Sequence, residues 1–103
     1  MANYIVSSGE VSSGIILNNY DAMTVLDGGT ATITTVNSGC RMYVSSGFAE
    51  NTIINNGGSL FISSGGLAYD TTIKSYGRMY VSSGGKASTT ALNGYCSMIM
   101  MSP

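Results

Sequence analysis

Val-Ser-Ser-Gly recurs along this chain in a fixed register, at Val6, Val44 and Val81, and Ile62-Ser63-Ser64-Gly65 is a near copy. Val25-Leu26-Asp27-Gly28 fits more loosely, and Met100-Met101-Ser102-Pro103 is a last degraded copy. The anchors at 6, 25, 44, 62, 81 and 100 stand 19, 19, 18, 19 and 19 residues apart. A second set keeps the same period: Leu17-Asn18, Val36-Asn37, Ile54-Asn55, Ile73-Lys74 and Leu92-Asn93 follow ten or eleven residues behind the first. The single short step falls at Gly47-Phe48-Ala49, one residue fewer than Gly65-Gly66-Leu67-Ala68. A deletion confined to a turn is what a stacked repeat tolerates.

A unit of this length cannot bury an apolar face alone, so copies must stack, each strand pairing with its equivalents about 4.8 Å above and below. Each copy reads as strand, Ser-Ser-Gly turn, strand and an Asn- and Gly-rich corner such as Asn55-Asn56-Gly57-Gly58. No stretch shows a helical period, and turn clusters interrupt every ten residues or so. The expected fold is therefore all-β: a parallel β-helix (β-solenoid) of about five 19-residue coils with two short strands per coil. It forms one domain over residues 1–103, with repeats near 4–20, 21–39, 40–57, 58–76 and 77–95 and a partial copy at 96–103.

Stacking turns equivalent positions into ladders. Val6, Val25, Val44, Ile62, Val81 and Met100 form one, and two residues earlier lie Tyr4, Met23, Met42, Leu60, Met79 and Met98. Both are apolar and share a face by strand alternation, which puts them inside, opposite Leu17, Val36, Ile54, Ile73 and Leu92. Ala31, Ala49, Ala68 and Ala87 read as small residues at a tight bend. The intervening row, Ile5, Thr24, Tyr43, Phe61, Tyr80 and Ile99, points outward. Its rings either stack along the sheet or form a contact stripe of Tyr43, Phe61 and Tyr80 for another surface. Asn18, Asn37, Asn55 and Asn93 make a corner ladder interrupted by Lys74; they read first as corner residues that tolerate unusual backbone angles, although stacked amides can also bond along the axis.

Composition narrows the function. Charged residues make up 9% of the chain, against about 25% in an average one. The four basic residues do not cluster and the net charge is −1, which argues against a nucleic-acid partner. No segment has the apolar length to cross a bilayer, so no membrane insertion is expected. Met1 to Gly9 shows no charged region followed by an apolar core, so no signal peptide is read here.

There is no His, which removes serine–histidine catalysis. Glu10, Asp21, Asp27, Glu50 and Asp70 fall on different coils or at different points around the coil. No catalytic residue, cofactor or metal site is expected, and the chain is read as not an enzyme. Cys40 and Cys96 occupy one repeat position three coils apart, about 14 Å by strand spacing. A disulfide needs Cα atoms within about 7 Å, so no bond between them is expected.

The units Val44-Ser45-Ser46-Gly47, Gly65-Gly66-Leu67-Ala68, Thr71-Thr72-Ile73 and Thr35-Val36-Asn37-Ser38-Gly39 resemble the repeats in passenger domains of AIDA-type autotransporter adhesins. The resemblance runs from about Tyr4 to Ser102. It implies a right-handed parallel β-helix on the bacterial cell surface, carried as part of a larger exported chain. It further implies adhesion to host or bacterial surfaces and self-association, end-to-end or lateral. Passengers of this kind also take heptose on serines from a dedicated glycosyltransferase. Matched onto this sequence, the glycosylation acceptor candidates are Ser7, Ser8, Ser45, Ser46, Ser63, Ser64, Ser82 and Ser83. The alternative is a small-ligand, glycan or ice-binding β-solenoid using a flat threonine ladder of Thr34, Thr52, Thr71 and Thr90.

Overall fold

A computed structural model describes residues 3–63, 65–82, 84–94 and 97–101, with residues 89 and 97–101 described through their backbone. Every regular element among them is a strand. One face of the solenoid is a six-stranded parallel sheet of β1 (Asn3–Val6), β4 (Ala22–Val25), β7 (Arg41–Ser45), β10 (Ser59–Ser63), β12 (Arg78–Ser82) and β14 (Ser97–Met101), stacked in that order. The register joins Val25 to Val44, Val44 to Ile62, Ile62 to Val81 and Val81 to Met100. Equivalent residues of successive repeats thus lie directly over one another through about five turns.

The opposite sheet is where the two-strand coil needs refinement. In the first three coils its strand is divided, into β2 (Val11–Ser13) and β3 (Ile16–Leu17), β5 (Thr30–Thr32) and β6 (Thr35–Val36), and β8 (Phe48–Glu50) and β9 (Ile53–Ile54). In the last two it runs as β11 (Leu67–Ile73) and β13 (Lys86–Leu92). The break comes from one residue per coil in the left-handed region: Gly14, Ile33 and Asn51, with Asp70 bending β11 at the same place. A left-handed residue turns the chain sharply, so each coil has three sides rather than two.

Strand alternation sends one ladder of each side inward. Met23, Met42, Leu60 and Met79 are fully buried, as are Val25, Val44, Leu17, Val36, Ile54 and Ile73. Tyr4, in the first coil, is 37% exposed, and Leu92, in the last complete one, is 50% exposed, so neither is buried as their ladders predict. The alanines are not at a bend. Ala31, Ala49 and Ala68 are buried within strands.

Glycines at the corners are set by proximity as well as turn geometry. Gly9, Gly28, Gly65 and Gly84 have φ near +80, as the third residue of a type II turn requires. The glycine after each of the later turns, Gly29, Gly66 and Gly85, sits against the coil below. A Cβ built at Gly66 would lie 2.6 Å from the Val44 carbonyl oxygen.

Candidate functional site

The parallel register places Tyr43 beside Phe61 and Phe61 beside Tyr80 on the outer face of the six-stranded sheet. Their ring centroids are 5.0 and 4.9 Å apart and their planes differ by 14° and 7°. That spacing is the strand spacing itself, and near-parallel stacking at this distance is favourable for aromatic rings. The predicted stripe is therefore brought together as one continuous column. Thr24 and Ile5 extend it toward the N-terminus, with Ile5 61% exposed. Two residues before the rings, on the same face, stand the exposed Arg41 and Arg78 with Ser59 between them.

Two residues after the rings come the first serines of the turn pairs. Ser45 and Ser63 are in register, and Ser7, Ser45, Ser63 and Ser82 are all part-exposed at the ends of their strands or just beyond. Leu26 takes this place in the second coil. The turns close when the N–H groups of Glu10, Gly66 and Gly85 each donate to the carbonyl of Ser7, Ser63 and Ser82 at 2.9 Å. Of the second serines, Ser8 is exposed. Ser46 is half-buried and left-handed (φ +61), because its turn has one residue fewer. Ser64 and Ser83 lie outside the described residues.

Where the ring column meets the second corner, a groove of about 320 Å³ is lined by Asn3, Tyr20, Asp21, Ala22, Gly39, Arg41 and Tyr43. Sequence reasoning did not single it out, since Tyr20 and Tyr43 come from different coils and meet only through the stacking.

The threonine ladder requires a correction. Thr34, Thr52 and Thr71 are buried at 0, 0 and 1% exposure, and their Oγ1 atoms, with that of Thr90, have no hydrogen-bond partner. These threonines lie two residues before Val36, Ile54, Ile73 and Leu92 and so share their inward face. A flat threonine surface for ice or glycan is thus not presented.

The asparagine amides do bond along the axis: Asn37 Nδ2 donates to Asn18 Oδ1, and Asn55 Nδ2 to Asn37 Oδ1, both at 2.7 Å. Cys40 is a free, buried thiol, and Cys96 lies outside the described residues. No group of three or more His, Cys, Asp or Glu side chains converges among the described residues. Two of the acids have structural duties instead: Glu10 Oε1 accepts from Ser7 N–H at 2.7 Å and Asp21 Oδ2 from Asn18 N–H at 3.1 Å.

Stacked coils with rings in a column and hydroxyls along the turns define a parallel β-solenoid repeat segment. Comparison with known proteins identifies which kind. Residues 39–94, more than half of the chain, match the family described as adhesin of bacterial autotransporter system, probable stalk. The chain belongs to that family of AIDA-type autotransporter adhesins. Among solved structures it is similar to a TibA fragment (residues 55–350) in a form hyper-glycosylated by TibC. The two share 37% identity and a TM-score of 0.90 over 93% of this chain. The match spans 35% of that fragment's length. No curated protein matches.

Proposed function

We propose that this chain is a non-catalytic stalk segment of an autotransporter passenger. It is carried on the bacterial cell surface as part of a larger chain and acts in adhesion and self-association. The observation that carries this reading is the unbroken register from Val25 through Val44, Ile62 and Val81 to Met100. Such stacking makes a rigid rod whose length grows with the number of repeats, and its outer face repeats the same chemistry at every step. Lateral self-association uses the column Tyr43–Phe61–Tyr80, an apolar strip flanked by Arg41, Arg78 and serines. Pairing two strips removes ring surface from water and leaves the polar margins solvated.

The same segment is an O-heptosylation acceptor for a glycosyltransferase. The acceptors are Ser7, Ser8, Ser45, Ser46, Ser63, Ser64, Ser82 and Ser83; of the described ones, Ser8 is exposed and Ser7, Ser45, Ser63 and Ser82 are part-exposed at strand ends or just beyond, where a hydroxyl is approachable. The glycosylated state of the TibA fragment supports this reading, because that protein shares the fold at 37% identity. Co-expression with a TibC-type glycosyltransferase, followed by intact mass and peptide mapping, tests it. Added heptose confined to the turn serines is the expected result. An unmodified chain, under conditions in which the enzyme modifies its own partner, rejects the acceptor role and leaves the stalk reading standing.

A further inference from the structure

The first coil departs from the others at two corners, and both departures perform one task. In later coils the N–H after each buried strand end donates to the coil below. Leu26 bonds the Val6 carbonyl at 2.8 Å, and Asn37, Asn55, Lys74 and Asn93 bond those of Leu17, Val36, Ile54 and Ile73 at 2.8 to 3.2 Å. In the first coil the equivalent donors are Ser7 and Asn18, and each bonds a carboxylate of its own turn, Glu10 at 2.7 Å and Asp21 at 3.1 Å. Glu10 stands where Gly29, Gly47, Gly66 and Gly85 stand in the other coils. A Cβ at Gly66 or Gly85 would come within 2.6 or 2.8 Å of atoms in the coil beneath, and at Gly29 it would run into the Val6 carbonyl oxygen. Asp21 shares its row with Cys40, Gly58 and Gly77. The buried Cys40 shows that a small side chain fits that row, but a carboxylate there would be desolvated under a stacked coil.

We infer that Glu10 and Asp21 form a cap that bars a coil of a second copy from stacking in register on the first coil. Burial agrees. Leu17 and Val6, in the first coil, are 0 and 3% exposed, so the core is closed there without a coil beneath. Head-to-tail contact is the mode that grows without limit. Blocking one face stops it while leaving lateral association free, so this inference does not depend on the proposed function.

The test compares wild type, Glu10→Gln and Glu10→Gly/Asp21→Gly, all in a Phe61→Ala background that weakens lateral contact. Sedimentation velocity and electron microscopy are read across a concentration series, with folding followed by circular dichroism. The Phe61→Ala parent and Glu10→Gln stay short, because glutamine keeps both the bulk and the acceptor. The double glycine variant forms open-ended filaments that lengthen with concentration. Filaments from the parent, or a folded double variant no longer than the parent, would overturn the cap. If the double variant does not fold, amide exchange decides: Ser7 N–H exchanges at least tenfold faster in Glu10→Ala than in wild type. Equal rates reject the inference.

Discussion

The side-chain amide of Asn37 donates from Nδ2 to Oδ1 of Asn18, nineteen residues earlier, at 2.7 Å. Asn55 repeats the bond to Asn37, and Lys74 then ends the run before Asn93. Replacing Lys74 by Asn supplies a donor toward Asn55 and an acceptor for Asn93, two new bonds at one part-exposed corner. Each such bond is worth about 0.5–1.5 kcal/mol net, so Lys74→Asn is expected to stabilise the chain by about 1 kcal/mol. Asn37→Ala removes two bonds and is expected to destabilise it by about 1–2 kcal/mol. Urea midpoints at constant slope measure both, and a midpoint unchanged in Asn37→Ala would show that the ladder carries no stability.

Thr52 offers a gain of another kind. Its Oγ1 is buried without a partner and its column begins with Ile15, which packs against the core. Valine has the same shape without the hydroxyl. Relieving a buried, unsatisfied polar group is worth about 1–3 kcal/mol. Thr52→Val is therefore expected to raise thermal stability, with the larger effect in a Thr52→Val/Thr71→Val pair. A loss of stability would mean that the hydroxyl has an acceptor in solution.

Ile33 holds φ at +52 while 57% exposed, at the row where other coils place Gly14, Asn51 and Asp70. A β-branched residue is strained there, by about 1–2 kcal/mol for the left-handed conformation. Asn tolerates it through local hydrogen bonding. Ile33→Asn is expected to stabilise by about 1 kcal/mol, measured by denaturant titration, and to remove an exposed apolar side chain. A destabilised Ile33→Asn would show that the isoleucine makes a contact outweighing its strain.

The columns Val25–Val44–Ile62–Val81 and Met23–Met42–Leu60–Met79 were legible because two periods agree on them. Alternation chooses the face, and the repeat chooses the neighbour. The threonines set two signals against each other: the hydroxyl argued for the surface and alternation from Val36 for the interior. Alternation prevails because the inward face is a geometric necessity, and one unpaired hydroxyl is a smaller cost than turning the whole strand. The left-handed row escaped notice because Ile33, Asn51 and Asp70 have little chemistry in common. Only Gly14 hints at a positive φ. The caps at Glu10 and Asp21 were visible as exceptions to glycine-containing rows, but their role depends on which amides lack a coil beneath.

Phe61 is the centre of the ring column, stacked on both sides at 5.0 and 4.9 Å. Its loss leaves Tyr43 and Tyr80 two coils apart and beyond stacking reach. Two aromatic contacts of about 0.5–1.5 kcal/mol each are removed, so Phe61→Ala is expected to destabilise the fold by about 1–3 kcal/mol. Phe61→Tyr should be neutral. If the column is also the lateral contact, Phe61→Ala weakens self-association in light scattering, whereas Phe61→Tyr retains it. Association unchanged in a folded Phe61→Ala would assign the rings to sheet stability alone.

Gly65 and Gly66 are adjacent yet should fail for different reasons. Gly65 has φ +82 and open space around its Cα, so alanine there meets only the backbone penalty of about 1–2 kcal/mol. Gly66 has no such φ, but its added Cβ would meet the Val44 carbonyl oxygen at 2.6 Å and Val44 Cγ1 at 3.0 Å. Relief requires the coils to part locally, breaking the pairing on which every column depends. Overpacking of this kind costs about 1–3 kcal/mol where neighbours can yield, and more where the obstacle is backbone. Gly66→Ala is thus expected to be the more damaging of the two. Asparagine separates the causes: Gly65→Asn should recover stability relative to Gly65→Ala, because it tolerates the left-handed region, while Gly66→Asn should be worse than Gly66→Ala. Equal losses in both pairs, read from urea midpoints, would contradict close stacking of the third and fourth coils at this corner.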